Sequence, residues 1–341
     1  MAVAEDAGES QTWLLHGLRM RSAVPLGAVA VPEGGVDVDL TWVPDGVIAR
    51  CAPPGQVLLQ QHSGDELMLV LAEGEDGYVL RVPAYCEFSI DRDLRSVTAQ
   101  ADGSAGRPFA VIFAGGLLVA VLLQLRRELV LHASAVESAG TATAFVAPSG
   151  GGKSTMAAIL CAAGAWLVSD DLLRVELGDA IICHPGGPDV RIRLSAESVL
   201  ALFAERPETV LTIDERVSTA LRSRTGTVRL KSLCLLRLSS DGDLTFRRMA
   251  ADEATVRLDT CPRVPGWSDP SHLRRQFHAH ATLATRTAVY ELTVPWGHPV
   301  DPELGPMLLR ALGSSDLAQL SPGSTISIVG ASGFSMGGHG P

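Results

Sequence analysis

The stretch LVLHASAVESAGTATAFVAPSGGGKSTMAAIL, from Leu129 to Leu160, decides how the rest of the chain is read. Its centre, Ala147-Pro148-Ser149-Gly150-Gly151-Gly152-Lys153-Ser154, follows the phosphate-binding pattern G-x-x-x-x-G-K-S/T, with alanine in the first glycine position. The pattern has a mechanical basis. Glycines let backbone N–H groups turn inward and approach phosphate oxygens closely, which a Cβ would hinder. The lysine reaches the outer phosphates, and the following hydroxyl, Ser154, is placed to ligate magnesium. Upstream, TATAFVA is apolar and β-prone; downstream, KSTMAAILCAAG reads as a helix stopped by Gly164. A strand, a glycine loop and a helix start in that order turn the positive end of the helix toward an anion. Ala147 falls where the strand ends, so the close approach is left to Gly150, Gly151 and Gly152. A chance Gly-rich turn would explain the loop but leaves both flanking elements unaccounted for.

Two neighbours narrow the chemistry. After Gly164 comes AWLVSDDLL, an apolar strand ending in Asp170-Asp171. A short helix followed at once by a strand is expected to return the chain parallel to the loop strand, beside it. Both carboxylates would then lie at the ligand-binding edge of the sheet. One can hold Mg²⁺ and the other accept a proton from an attacking hydroxyl; the alternative is a solvated pair capping the next turn. Upstream, ESAGTA separates LVLHASAV from the loop strand. If Ala139-Gly140 turn a hairpin, His132 lies opposite Ala147, at the loop's mouth. A lone histidine is as often a satisfied core or surface group.

Outside this stretch the chain divides by pattern. Residues 1–105 read as a β-rich domain with an antiparallel sheet of its own: LMLVLAEGEDGYVLRV and CEFSIDRDLRSVTAQ each suggest two strands around a turn. ADGSAGRP reads as a loop and boundary. From 106 to 315, strands alternating with helices indicate an α/β domain, with helices near Ser195–Phe203, Pro270–Arg286 and Pro302–Leu312. The Gly/Ser-rich tail, 316–341, is expected to be flexible.

The bulk numbers exclude some classes. With 341 residues, 46% apolar and 19% charged, the chain can bury a large core. A net charge of −10 argues against a nucleic-acid partner. Six cysteines scattered singly, with no C-x-x-C pair, read as reduced thiols. FAVIFAGGLLVAVLLQL, from Phe109 to Leu125, is near the lower limit for a bilayer span, but its Gly-Gly pair and Gln124 fit a buried helix as well. No secretory pattern stands in MAVAEDAGES, so a cytoplasmic location with no membrane partner is the expectation.

The order LHASAV, APSGGGKST, WLVSDD resembles the catalytic domain of the HPr kinase/phosphorylase family, most specifically from His132 to Asp171 and more loosely through HPGGPDVRIRL and AVYELTVP. A β-rich front half suggests its stand-alone branch, which includes kinases that phosphorylate lasso-peptide precursors on serine. The resemblance implies an α/β P-loop kinase domain using ATP and Mg²⁺, with a peptide or small-protein acceptor and a homo-oligomeric assembly. It implies that Ser149 to Thr155 wrap the phosphates and that Ser154 and Asp171 face the metal. Asp170 would be the general base, and His132 would assist at the phosphoryl group. The chain departs from the family after the Asp pair, where Cys183-His184-Pro185-Gly186-Gly187 stands in place of a Glu-x-Arg-Gly segment. Arg191 and Arg193 alternate on PDVRIRL and could clamp a phosphate or an acidic acceptor, or simply edge a solvated strand; Arg222 and Arg224 are weaker candidates of the same kind. A metabolite hydroxyl kinase and a nucleotide-binding regulator without turnover remain open alternatives.

Overall fold

The computed structural model describes residues 10–32, 34–240, 243–296, 300–329 and 333–336, so the MAVAEDAGE start lies outside it. The chain forms two compact units. The first runs to Glu128 and also takes Val264–Arg275; the second comprises Leu129–Arg263 and the chain from Gln276 onward.

The first unit is built on a nine-stranded sheet among the described residues. Alternation drives it: in Cys86–Asp91, Cys86, Phe88 and Ile90 point into the core while their neighbours do not. Glu66–Glu73 and Gly77–Val82 form the expected hairpin, and Gly77 is required there, since its φ is 145° and a Cβ would lie 2.1 Å from the Ile90 carbonyl oxygen. The sheet is not wholly antiparallel. Val38–Trp42 runs parallel to both Leu18–Ser22 and Ser96–Ala101, because the chain crosses over through the edge strand Val29–Val31 and re-enters in the same direction.

The expected boundary at ADGSAGRP is also displaced. A continuous helix starts at Gly103 and runs to Leu125, with one π-helical stretch at Ala114–Leu118. Small residues make this packing feasible: a Cβ on Gly106 would meet the Tyr85 carbonyl oxygen at 2.5 Å, and one on Gly115 the Leu26 carbonyl oxygen at 2.5 Å. This helix is long and apolar enough to cross a membrane by length and composition, and 50% of its most apolar window is buried inside the protein. The helix belongs to the first unit, so the boundary falls after Glu128.

The second unit is a mixed, sheet-rich α/β fold. Its middle is parallel: the loop strand Thr141–Val146 pairs with Val228–Ser239, which pairs with Ala288–Pro295. Antiparallel strands flank these. Ala133–Ser138 pairs with the loop strand on its other side and with Trp166–Ser169 beyond. Trp166–Ser169 therefore runs parallel to the loop strand, as expected, but one strand away; the His132 hairpin has taken the adjacent place. Along Thr141–Val146, Ala142, Ala144 and Val146 face one core while Phe145 faces another, where the helix Lys153–Ala162 packs through Met156, Ile159 and Leu160. The expected helix near Ser195–Phe203 is a 3-10 helix, Leu194–Leu202. Pro270–Arg286 and Leu304–Gly313 are α-helices.

The tail corrects a further expectation. Thr325–Val329 pairs with Leu244–Arg248 in the main sheet, because TISIV alternates and buries Ile326 and Ile328. Residues 337–341 lie outside the described residues.

Candidate active site

Ala139 and Gly140 both have positive φ, 51° and 81°, which is the geometry of a two-residue hairpin turn between Ser138 and Thr141. The register ends with Ala133 opposite Val146, which leaves His132 and Ala147 just beyond the open end of the hairpin. That turn brings the imidazole to the mouth of the phosphate loop.

The loop has the conformation its glycines permit. Gly150 and Gly152 sit at φ 80° and 88°, and Gly152 immediately precedes the helix that begins at Lys153. A Cβ on Gly151 would be 2.7 Å from the Ala147 Cβ, so the alanine in the first position depends on glycine at 151. Lys153 is buried, and its Nζ donates to the carbonyls of Ala147 (2.8 Å) and Pro148 (3.1 Å). Burial lowers its pKa, against the pull of Asp171 and Asp170, which favour the charged form. No acidic side chain occupies the first turn of this helix, leaving its positive end uncompensated.

The aspartate doublet sits in two different environments. Asp170 accepts from Ser134 Oγ at 2.5 Å, from the Arg191 backbone N–H at 3.1 Å and from the Ser154 hydroxyl. Burial nonetheless dominates and raises its pKa. For Asp171, burial pushes the same way, but Arg263 and His132 outweigh it and hold the carboxyl well below the usual range. Its Oδ1 lies 3.3 Å from His132 Nε2 and its Oδ2 2.7 Å from Arg263 Nη2. The backbone is strained between the two: Asp171 has φ 68°, and the Leu172 N–H bonds to the Asp170 carbonyl at 2.8 Å, closing a γ-turn of the rare positive-φ kind.

These groups share one cleft. His132, Asp171, Lys153 and Ser154 line it from the sheet edge and the loop, with Ser149 and Thr155 beside them. Arg191 and Arg193 line it from the opposite side, on Asp189–Arg193, whose Val190 and Ile192 point into the core. Arg193 lies over the loop so closely that a Cβ on Gly150 would be 2.7 Å from its Nη2. Arg216, opposite Arg193 in the strand pair, completes the cationic side, and Asp214 lies 3.5 Å from both Arg191 and Arg216. Asp170, next to Asp171, reaches this lining through its contact with Ser154.

Arg222 and Arg224 do not join them. Both guanidinium groups lie over the Trp166 ring, at 3.4 and 4.3 Å from its centroid, and Arg224 forms a two-nitrogen ion pair with buried Glu137. Their charges are consumed by the scaffold.

Sequence reading missed Ser134, Arg263 and Arg216. Ser134 carried only a weak signal, its closeness in sequence to His132, because the chain breaks at His132 between the strands Leu129–Leu131 and Ala133–Ser138. Arg263, in the loop after Ala251–Asp259, carried none. Among the described residues no group of three or more His, Cys, Asp or Glu side chains gathers to hold a metal. The residues still suit Mg²⁺, which is ordinarily held by one or two carboxylates plus phosphate oxygens and water. Ser154 and Asp170 are in contact, and Asp171 lies on the same cleft.

No family model matches the chain, and no curated protein matches it. Among solved structures, an HPr(Ser) kinase/phosphatase from Coxiella burnetii matches at 10% identity, covering 53% of this chain and 91% of that one, with a TM-score of 0.27. At that level the likeness leaves the function to be argued from the site's own geometry.

Proposed function

We propose that the second unit is an ATP- and Mg²⁺-dependent kinase that transfers a phosphoryl group to a hydroxyl, with serine in a peptide or small protein as the acceptor. The observation that carries this reading is geometric: two adjacent carboxylates at a phosphate loop in unlike surroundings, Asp170 buried against Ser134 and Ser154, Asp171 paired with Arg263 and His132. Paired acids driven apart in this way mark a division of labour. Asp170, the more basic, takes the acceptor's proton as the oxygen attacks. Asp171 stays charged and supports the metal side, through water where His132 and Arg263 already hold its oxygens. The loop N–H groups and Lys153 position the phosphates, and Arg191 and Arg193 neutralise charge that builds on the transferring group. His132 adds a donor there. Ser154 and Asp171 would hold Mg²⁺, which would offset the charge of the phosphates.

The acceptor class and the stand-alone peptide-kinase branch rest on the sequence resemblance around His132–Asp171. The test is direct: incubate the protein with γ-labelled ATP, Mg²⁺ and serine-containing peptides, and follow label transfer by mass spectrometry. Transfer that is abolished in Asp170→Asn while ADP still binds supports the assignment. Undiminished transfer in that variant removes Asp170 as the base.

A further inference from the structure

The cleft is lined by side chains of two chemical kinds. Lys153, Arg191, Arg193 and Arg216 are cationic and suited to phosphates. Leu238 and Trp296 are apolar, and nothing in the phosphate chemistry uses them. Their placement follows from the sheet. Val228–Ser239 and Ala288–Pro295 run parallel to the loop strand, so their C-terminal ends reach the same edge as the phosphate loop. Leu238 lies against the loop itself: a Cβ on Gly152 would be 3.3 Å from its Cδ1. Leu238 is opposite Val294 and Ser239 opposite Pro295, and the Trp296 N–H donates to the Ser239 carbonyl at 2.7 Å. That bond fixes the backbone of Trp296 just past the end of its strand, half-buried against the same core as Leu238. Two strand spacings, about 10 Å, separate its strand from the loop strand.

We infer that Trp296, with Leu238 beneath the loop, forms the platform on which the nucleotide's base stacks, which makes the ligand of this cleft a nucleotide rather than a bare polyphosphate or phosphorylated acceptor. The inference rests on the nucleotide-binding reading above and adds what holds the other end of the molecule. A single aromatic face accepts any base, because every base offers a π-surface, so ADP and GDP should both bind.

The experiment compares ADP with pyrophosphate, each with Mg²⁺, by titration calorimetry on the full chain and on Trp296→Ala and Trp296→Phe, with melting temperatures alongside. Trp296→Ala is expected to weaken ADP roughly tenfold to a hundredfold while leaving pyrophosphate within about twofold; Trp296→Phe retains most of the ADP affinity. Tryptophan fluorescence should respond to ADP, with that response lost in Trp296→Phe. Equal weakening of both ligands would make Trp296 a packing residue and overturn the inference, as would ADP affinity unchanged by Trp296→Ala. Wild-type protein that binds neither ligand overturns the nucleotide reading itself, and the inference with it.

Discussion

The hairpin Ala133–Val146 carries a charged cluster at each end, and the two behave differently. At the turn end, Glu137 is buried, paired with both Nε and Nη2 of Arg224, and accepts from the Gly140 N–H at 2.5 Å, while Arg222 and Arg224 cover Trp166. Every charge there finds a partner within the scaffold. At the loop end, cations outnumber anions around the cleft, Asp171 sits at positive φ, one buried lysine has its pKa lowered, and one aspartate has its pKa raised. Arg263 Nε is buried with no partner among the described residues. The turn-end cluster satisfies itself within the scaffold, whereas the loop-end cluster leaves cationic groups in excess, the imbalance on which the proposed anion site rests.

The sharpest way to break this comparison is to remove the loop-end charges. Lys153→Met is expected to reduce phosphoryl transfer by about 10²–10³-fold, measured as labelled product, with the melting temperature unchanged or raised, since the buried cation is costly. Arginines at the two ends give a matched pair. Arg193→Ala should weaken ADP binding roughly tenfold, as expected for loss of a hydrogen bond to a charged group, and Arg224→Ala less than about twofold. Calorimetry on both variants decides it; equal effects would erase the distinction between the two ends.

Those arginines also mark where the sequence could and could not be read. The phosphate loop, the hairpin register that brings His132 to Ala147, and the strand ending in Asp170-Asp171 were legible because each is local: a turn dipeptide, a glycine run, an apolar stretch of fixed period. Arg191 and Arg193 were distinguishable from Arg222 and Arg224 only by what they face. That depends on which strands pair, and the pairing of Trp166–Ser169 with the His132 hairpin is a long-range outcome. Arg263 reaches Asp171 from a distant loop, and no local pattern announces it. The front unit was legible as β-rich, but its parallel crossover and the helix within ADGSAGRP depend on tertiary packing, including the close approaches at Gly106 and Gly115.

At the turn end the expectation is stability without affinity. Glu137→Ala leaves Arg224 free to rehydrate, because that side chain is partly exposed, but it strips the Gly140 N–H of its acceptor. The cost should be about 1–3 kcal/mol, or several degrees in melting temperature, with ADP binding unaffected.

The smallest effect separates the two aspartates themselves. Asp170 has a folded pKa raised above its ordinary 3.8, so the folded state binds the proton more tightly than the unfolded chain does. Its favourable contribution is complete below about pH 4 and is lost as pH rises through the raised value. Asp170→Asn deletes that dependence, so the variant should gain on wild type in melting temperature as pH rises above about 4. Asp171 is the mirror case: its pKa is lowered, so its contribution is present above about pH 4 and fades on acidification. Asp171→Asn should therefore lose stability throughout the neutral range, and the deficit should shrink only on acidification below about pH 4. Thermal melts of both variants from neutral pH to well below pH 4 read the two slopes, Asp170 above about pH 4 and Asp171 below it. Opposite signs from adjacent residues would show that the site holds one carboxyl ready to take a proton beside one that stays ionised; slopes of the same sign would mean the doublet is a single solvated pair, and the division of labour assigned to it would fail.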